Sequence, residues 1–299
     1  MKRVAFYIHT EWALGSIHYA LCKELYKFGI DADVLDWNKY YSPENFSEFK
    51  KVYDLFVTLP GQPLNILFNT YMVPPEKTVI VAHGKYDIDH ALATNTNLAP
   101  FSKFGVVATS LKTHAESLGI KNKIKVVRNG IQFDRFYSKP ATQLLNIGYA
   151  GIIKQFTHGQ KELKRSHLVK AISDNTSLPI KMASGKHFTT MPNFYKDVDC
   201  VMVSSDENES CGLPLMEAAA AGRLPISAKV GITCEFDNPP GIILPMDEEG
   251  FVSHGTQILN ELKQDTNKFT SLCADAQDFA RQHYDWSAVI EDWADLILS

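Results

Sequence analysis

Short apolar runs alternate with amphipathic stretches along the first half of the chain. The apolar run Val4–Ile8 is followed by Ser16–Phe28, whose apolar residues recur at helical spacing, and Gly29 ends this predicted helix. Further apolar runs follow at Ala32–Leu35, Leu55–Val57, Val79–Ala82 and Val106–Ala108. Strands that alternate with helices in this way predict a parallel, doubly wound sheet.

The same alternation restarts after a polar connector at residues 138–143. It predicts a second parallel sheet, with strands at Asn146–Ala150, Ile180–Ala183, Val201–Ser204 and Pro225–Ala228. Helices fill the rest of the chain, and the last, Trp286–Leu298, carries an apolar face that needs a surface to cover. We therefore predict a first domain over residues 1–141, a second over residues 142–284 and a terminal helix over residues 285–299.

Composition and charge narrow the classes of protein that fit this pattern. The 299 residues are 45% hydrophobic and 21% charged, which is typical of a soluble globular protein large enough for two domains. The net charge of −4 gives no global positive field, so we predict no nucleic-acid partner. The five cysteines are widely spaced, include no C-x-x-C pair and fit free thiols in a reducing cytosol.

No apolar run has the length of a targeting or membrane-spanning segment. The run before His9 is shorter than a signal-peptide core, and no run approaches the roughly 20 residues of a membrane helix. We expect a cytoplasmic protein, for which any contact with a membrane is peripheral. The sequence leaves the oligomeric state open.

The most informative stretch is Ser204–Gly222, which has the pattern of a strand end, a polar loop and a helix. Pro214 suits the first helical position, the alanines that follow favour the helix, and a glycine ends it. The unpaired amides of Cys211, Gly212 and Leu213 would face an anion, with the helix dipole behind them. We predict that a diphosphate fits this helix N-terminus.

Two carboxylates belong to the same stretch. Glu209 lies in the loop and Glu217 eight positions later in the first helical turn, so both are expected to face one crevice at the carboxyl end of the strands. Carboxylates accept paired hydrogen bonds from vicinal hydroxyls, which a sugar and a nucleotide ribose both present. The alternative is that Glu217 only complements the helix dipole and Glu209 is a solvated loop charge.

The pattern E-S-C-G-L-P-L-M-E from Glu209 to Glu217, followed by A-x-A-x-G, resembles the E-x7-E signature of retaining glycosyltransferases of group 1. Tyr195–Ser204 resembles the helix and strand that lead into that motif. Val126–Ile131 resembles the family's inter-domain turn, and Trp286 resembles the start of its last helix, which returns to pack on the first domain. The resemblance covers most of the second domain and touches the first at several points.

This resemblance implies both a fold and an activity. The fold is α/β, with two Rossmann-like doubly wound domains facing across a cleft, known as GT-B, and the donor is held mainly by the second domain. The activity is transfer of a sugar from a nucleotide-diphosphate sugar to a glycan, lipid-linked or small-molecule acceptor, with retention by front-face attack. No metal and no cofactor is expected besides the nucleotide sugar, which is a co-substrate.

The resemblance also implies residue roles. Glu209 would contact the hydroxyls of the donor sugar and Glu217 would hold the ribose. Backbone contacts to the sugar and phosphate would come from Ser210, Cys211, Gly212 and Leu213.

The chain departs from the family where an arginine and a lysine usually grip the diphosphate. Gly151–Lys154 lacks the expected arginine, and the candidates further on are Lys161, Lys164 and Arg165. We favour Lys164, which would stabilise the charge that builds on the departing diphosphate, and then Lys154. The alternative is a solvated basic loop.

The first domain offers two candidates at the carboxyl ends of its strands. Gly15, in the loop Thr10–Ser16, resembles the family's glycine beneath the diphosphate, and a plain tight turn is its alternative. His83 follows a predicted strand, where the family places a histidine near the donor sugar and the acceptor, and a structural histidine is the alternative. Asp87 and Asp89 face either the acceptor or the solvent.

Other classes of function explain fewer of the sequence motifs than a glycosyltransferase does. D-x-D pairs begin at Asp31, Asp87 and Asp197, as expected by chance in an acidic chain, and we predict no catalytic metal. Walker A, G-x-G-x-x-G and G-x-S-x-G sequences do not occur. A glycosidase, or an epimerase or phosphorylase of the same fold, is an enzyme alternative. The non-enzyme alternative is a sugar-nucleotide-binding subunit that partners another transferase, and donor turnover distinguishes it.

Overall fold

A computed structural model describes residues 1–151 and 163–299 of the chain. The chain divides into two compact units, the first made of Met1–Gly130 with Trp286–Ser299 and the second of Ile131–Asp285. Each unit is built on one parallel β-sheet with helices between the strands. The predicted pair of doubly wound α/β domains is confirmed.

Eleven strands lie in the described part of the chain. They are β1 Lys2–Ile8, β2 Ile30–Asp36, β3 Leu55–Thr58, β4 Thr78–Ala82, β5 Lys103–Val106, β6 Ile124–Val126, β7 Ile147–Tyr149, β8 Ile180–Met182, β9 Cys200–Val203, β10 Leu224–Ala228 and β11 Ile242–Leu244.

Twelve α-helices accompany them within the same described ranges. They are α1 Trp12–Leu25, α2 Pro43–Val52, α3 Gln62–Asn65, α4 Lys85–Ala93, α5 Thr109–Ser117, α6 Phe133–Phe136, α7 Ser166–Thr176, α8 Met191–Lys196, α9 Leu213–Ala220, α10 Glu248–Gln264, α11 Thr266–His283 and α12 Trp286–Leu298. Short 3₁₀ or π turns lie at Tyr26–Phe28, Ile66–Thr70, Pro75–Lys77, Phe188–Thr190 and Gly231–Glu235.

The sheet of the first unit has the strand order β2-β1-β3-β4-β5-β6, and all neighbouring strands are parallel. Every residue of β3 and β4 is buried, because helices cover both faces of such a sheet. The strand order reverses between β1 and β3, and doubly wound sheets generally bind ligands at the carboxyl ends of the strands at such a reversal.

The sheet of the second unit has the strand order β11-β10-β9-β7-β8, again with all neighbours parallel. Here the order reverses between β7 and β9. The loop that follows β9 contains Glu209 and leads into α9. The most informative stretch of the sequence therefore lies at the position where a doubly wound sheet binds ligands.

Each unit has its own apolar core. In the first unit an aromatic cluster includes Tyr7, Phe46, Phe56 and Tyr71, with the rings of Phe46 and Tyr71 stacked at 3.8 Å between centroids. In the second unit aliphatic residues of β7, β9 and β10 pack against α7, α10 and α11, as with Val169, which is fully buried. The packed cores stabilise the two sheets, and the loops at their carboxyl edges are then available to carry polar functional groups.

The observed elements differ from the predicted ones in a few places. The first helix begins at Trp12 rather than Ser16, and the fifth strand is Lys103–Val106 rather than Val106–Ala108. The lysine and the glycine of that strand interrupt its apolar pattern, so the pattern does not show where the strand begins. Val107 and Ala108 extend the apolar pattern past the end of the strand, because they are buried there although they lie outside it. The short strands β6 and β11 were missed because three residues carry little periodicity.

The chain passes from the first unit to the second at Gly130 and not at the predicted residue 141. The connecting segment packs on the second unit, because Ser138 Oγ donates to the Ala221 carbonyl at 2.7 Å and the Ala141 amide donates to Gly222 O at 3.0 Å. The helix α12 belongs to the first unit. Its Trp293 Nε1 donates to the Arg128 carbonyl at 2.8 Å.

No helix within residues 1–151 and 163–299 combines the length and the hydrophobicity that a membrane crossing requires.

Candidate active site

The carboxylate of Glu209 is the centre of a hydrogen-bond cluster in the loop after β9. Its Oε2 accepts from Lys164 Nζ at 2.5 Å and from Ser205 Oγ at 2.9 Å. Its Oε1 accepts from the amides of Gly212 at 3.0 Å and Cys211 at 3.4 Å. The Glu209 side chain is 11% exposed and that of Lys164 is 51% exposed, so the carboxylate is largely buried whereas the lysine side chain is half in solvent.

These partners determine the charge of Glu209. Burial by itself raises the pKa of the carboxyl, but the Lys164 ammonium and the hydrogen bonds from Ser205 and Gly212 outweigh it and hold the pKa below its usual value. Glu209 is therefore an ionised carboxylate at neutral pH. An ionised carboxylate accepts hydrogen bonds at both oxygens, as a contact to vicinal hydroxyls requires.

The loop reaches this shape through two glycines in the left-handed region. Gly212 has φ 70° and stands directly before α9, which lets the chain turn into the helix. Gly231 has φ 55°, and a Cβ there would lie 2.8 Å from the carbonyl carbon and oxygen of Cys211. The Ile232 amide donates to that same carbonyl at 2.8 Å. The turn at Gly231 thus supports the Glu209 loop from below.

The start of α9 is occupied by an anion of the protein itself. Two of the three amides predicted to face a diphosphate, those of Cys211 and Gly212, donate to the Glu209 carboxylate. Leu213 opens the helix, and Pro214 is its second residue rather than its first. A carboxylate at this end is favoured by the helix dipole, and the binding of a diphosphate there stays a prediction.

Glu217 has different surroundings from those predicted. It lies in the second turn of α9 rather than the first, because the helix begins at Leu213. It is 5% exposed, and its Oε2 accepts from the hydroxyl of Tyr195, a fully buried residue, at 2.7 Å. Burial raises the pKa of Glu217 to about 7, although the Tyr195 hydroxyl and Arg135 act in the opposite direction.

The two glutamates therefore share no hydrogen-bond partner within the described residues. Glu209 is ionised in a polar loop, whereas Glu217 is buried on α9 with its pKa raised to about 7. Ser210, which lies between the two glutamates in the sequence, is buried, and its Oγ lies 3.4 Å from the Asn208 carbonyl.

The basic candidates separate into distinct roles. Lys164 contacts Glu209, as described above, which makes it the cation of this site. Arg165 donates to backbone carbonyls at the end of β9 and after β11. Lys154 and Lys161 lie outside the described residues, so their predicted roles stay predictions.

In the first unit, His83 follows β4 and its ring packs against two other rings. The ring centroids of His83 and His18 are 5.0 Å apart, and those of His83 and Trp293 are 6.3 Å apart. Both ring nitrogens of His83 are buried, and neither has a hydrogen-bond partner within the described residues. Burial, reinforced by His18, lowers the pKa of His83 well below 6.5, so the imidazole is neutral.

Two other candidates of the first unit have structural partners. Gly15 was predicted in a loop, but it is the fourth residue of α1 and its amide donates to the Glu11 carbonyl at 3.1 Å. That amide belongs to the helix because α1 begins earlier than predicted. Asp87 accepts from the amides of His83 at 2.8 Å and Gly84 at 2.9 Å, and so caps α4.

The remaining acidic pairs also serve as structural acceptors. Asp89 lies 2.7 Å from His114 Nε2, and Asp33 accepts from the Tyr53 hydroxyl at 2.8 Å. Asp199 accepts from the amides of Leu145 and Asn146. No cluster of His, Cys, Asp or Glu that could hold a metal ion is found within the described residues. Metal independence itself stays a prediction.

Sequence reasoning missed one side-chain partner of each glutamate. Ser205 and Tyr195 bond to Glu209 and Glu217 respectively. The serine pair at the end of β9 could have signalled a polar strand exit, but no pattern indicates that the Tyr195 hydroxyl points at a residue 22 positions later.

The sequence matches no protein-family model and no curated protein. Solved structures match it over its full length. HepE of Anabaena with UDP-glucose has 14% identity and a TM-score of 0.70, with 100% of both chains covered. Sucrose-phosphate synthase from Thermosynechococcus elongatus has 11% identity and a TM-score of 0.70 over 99% of this chain and 98% of its own. A glycosyltransferase from Rickettsia africae has 14% identity and a TM-score of 0.68 over 100% and 99%. The chain therefore has the GT-B fold of solved glycosyltransferases.

Proposed function

We propose that the protein is a glycosyltransferase that takes a sugar from a nucleoside-diphosphate sugar. The observation that carries the proposal is the ionised Glu209, bonded to Lys164 and to amides at the start of α9, where the strand order of the second sheet reverses. Doubly wound sheets bind nucleotides at this position. The likeness to HepE solved with UDP-glucose supports the same class of ligand.

The donor would be bound by an exchange of partners at Glu209. Sugar hydroxyls would replace the Lys164 ammonium on the carboxylate, and Lys164 would turn to the diphosphate. The side chain of Lys164 is half exposed, which supports this freedom of movement. In the complex the Glu209 carboxylate would be hydrogen-bonded by the sugar hydroxyls, Ser205 and the loop amides, and the diphosphate would be paired with Lys164, so neither anion is left without a partner.

The ribose would be held by Glu217. Its Oε2 is bonded to Tyr195, whereas no described residue donates to Oε1. A ribose hydroxyl would donate to Oε1 and favour the ionised carboxylate, since a hydrogen bond to the charged form lowers a pKa. Donor binding would then strengthen as the pH rises through about 7, the pKa of Glu217.

Transfer would proceed with retention and without metal. The bond between the anomeric carbon and the diphosphate oxygen breaks, and its electron pair stays on that oxygen, where Lys164 and the dipole of α9 would stabilise it. The acceptor oxygen bonds to the same face of the sugar, and its proton passes to the departing phosphate. By the family resemblance, His83, which is neutral, would lie on the acceptor side.

The class of acceptor follows from the family resemblance and is a glycan, a lipid-linked molecule or a small molecule. We propose a cytoplasmic enzyme, with contact to a membrane limited to its surface.

Donor turnover tests the proposal. Purified protein is incubated in EDTA with UDP-, GDP-, ADP- and CDP-sugars, and release of the nucleoside diphosphate is measured with and without glycan acceptors. We expect release from donors of one base, and loss of that release in Glu209→Ala. Binding without release would instead favour the non-catalytic subunit, and release that depends on added Mg²⁺ would contradict the metal-free mechanism.

A further inference from the structure

Arg165, the residue directly before α7, has a backbone conformation that its side chain does not favour. Its φ is 41° and its ψ is 46°, in the left-handed region. Glycine occupies this region freely, whereas a residue with a Cβ is strained there. A strained residue persists only where other interactions hold it, so the contacts of the Arg165 side chain need an explanation.

The guanidinium of Arg165 donates to three backbone carbonyls. Nε donates to Ser204 O at 2.7 Å, Nη2 to Ser205 O at 3.1 Å and Nη1 to Met246 O at 2.7 Å. Ser204 and Ser205 follow β9 and are buried, and Met246 follows β11. The planar guanidinium presents its donors in a fixed fork that reaches well-separated acceptors, whereas a lysine ammonium is a compact point charge. Arg165 thus ties α7 to two strand exits of the same sheet.

The residues beside Arg165 are tied to the same segment. Ser204 Oγ donates to the Lys164 carbonyl at 2.6 Å, and the Asp206 amide donates to Leu163 O at 2.9 Å. Each of residues 163–165 is therefore hydrogen-bonded to residues 204–206, through one backbone–backbone bond at Leu163 and through bonds with one side-chain donor at Lys164 and Arg165. Lys164 projects from this fixed segment to Glu209, with its Nζ 2.5 Å from Oε2.

We propose that Arg165 is a positioning residue: its guanidinium fixes the backbone of Lys164, so that the Lys164 ammonium reaches Glu209 and, during transfer, the donor diphosphate. The family resemblance suggested an arginine that grips the diphosphate itself, but the three donor groups of Arg165 described above are bonded to carbonyls. The catalytic part of this inference rests on the proposed function. The positioning of Lys164 against Glu209 does not, and it can be measured without any ligand.

The ligand-free test is a titration of the Glu209 carboxyl, followed by ¹³C NMR and assigned with Glu209→Gln. In wild type the Lys164 ammonium lowers the pKa of Glu209. We expect Arg165→Met to raise this pKa by about one pH unit, since a nearby opposite charge shifts a carboxyl by that order. Lys164→Met should do the same. In the Lys164→Met background, adding Arg165→Met should change little, because Arg165 acts through Lys164.

Arg223→Met is the matched control. Arg223 is also buried in the second unit and donates to backbone carbonyls, those of Tyr195 at 2.7 Å and Lys139 at 2.9 Å. It has no described hydrogen bond to residues 163–165. Its loss should leave the Glu209 titration unchanged. An equal shift in Arg223→Met and Arg165→Met would mean general loosening and would overturn the proposal.

Arg165→Gly guards against a variant that fails to fold. It removes the guanidinium and also the backbone strain, so it should remain folded by far-UV circular dichroism while raising the pKa of Glu209 as Arg165→Met does. Arg165→Lys should restore part of the wild-type titration. A wild-type Glu209 titration in a folded Arg165→Gly protein would contradict the positioning role.

Steady-state kinetics with the nucleotide sugar that wild type uses extend the test to the reaction. Arg165→Met should lower kcat/KM by about the same factor as Lys164→Met, and the double variant should be no worse than either. If wild type releases no nucleoside diphosphate from any sugar donor, the proposed function fails while the titration still decides the positioning. If wild type turns over the donor and Arg165→Met titrates as wild type does, the positioning alone is wrong.

Discussion

Glu209 and Glu217 show how far the surroundings of a residue decide its chemistry. Both are glutamates on one nine-residue stretch. Lys164 and three further donors keep Glu209 ionised, whereas Glu217 is buried with one phenol hydroxyl and has a pKa of about 7. The sequence can predict that two carboxylates occur at this spacing. It cannot predict their charge, because the Lys164 ammonium and the Tyr195 hydroxyl come from residues 45 and 22 positions away along the chain.

The buried Glu217 makes stability depend on pH. Its folded-state pKa is raised from 4.5 to about 7, so the unfolded chain loses the proton first, and stability falls as the pH rises from about 4.5 to 7. The shift lowers the free energy of unfolding by roughly 3 kcal/mol above pH 7, relative to low pH. We expect Glu217→Gln, which still accepts from Tyr195, to melt higher than wild type at pH 8 and at nearly the same temperature at pH 5.

Glu261→Gln is the control for this prediction, since Glu261 is exposed on α10. It should melt like wild type at both pH values in differential scanning calorimetry. A difference between Glu217→Gln and wild type that is the same at pH 5 and pH 8 would show that Glu217 carries no shifted proton.

At the scale of elements, the loop between β9 and α9 depends on a turn from elsewhere in the second unit. Gly231 supports the Cys211 carbonyl so closely that a Cβ would lie 2.8 Å from it. The sequence indicated the loop and the helix, from Pro214, the alanines and the closing glycine. It does not indicate that residues 230–232 pack against the Cys211 carbonyl, because that contact depends on the order of the strands in the sheet.

Gly231→Ala should displace the Glu209 loop. The new Cβ would force the Cys211 carbonyl away, and the amides of Cys211 and Gly212 would move from Glu209 with it. We expect donor affinity to fall by about tenfold or more, which corresponds to about 1.4 kcal/mol, in isothermal titration with the donor that wild type binds.

Gly185→Ala separates this clash from the cost of a left-handed alanine. Gly185 has φ 68°, close to the 55° of Gly231, and nothing lies within 4 Å of a Cβ built there. Both variants should lose similar stability through backbone strain, about 1 kcal/mol or somewhat more. Only Gly231→Ala should lose donor affinity. An equal loss in Gly185→Ala would contradict the proposed role of Gly231 in supporting the Glu209 loop.

At the scale of the whole molecule, the sequence predicts the architecture better than its details. Alternating apolar runs indicated two parallel sheets, and both are present. The passage between the units came at Gly130, because residues that are polar in sequence, such as Ser138, bond to the second unit. Gly15 was placed in a loop because the start of α1 carries no clear N-terminal capping signal, and its amide belongs to the helix.

The fold alone does not fix the activity, because one fold hosts many functions. Solved structures with 11 to 14% identity share this architecture. An activity has to be argued from the groups at the carboxyl edge of the second sheet, where Lys164 and Glu209 are bonded. The proposed function therefore depends on whether this cluster binds a nucleotide sugar.

The most direct measurement is the melting temperature of wild type and Glu209→Gln in EDTA, with UDP-, GDP-, ADP- and CDP-sugars. A ligand at 100 times its Kd stabilises the folded state by about 2.7 kcal/mol. The account predicts that sugars of one nucleotide raise the melting temperature of wild type, and that the increase is largely lost in Glu209→Gln. An increase of equal size in both proteins, or none with any nucleotide sugar, would contradict the claim that the Glu209 cluster is the donor site.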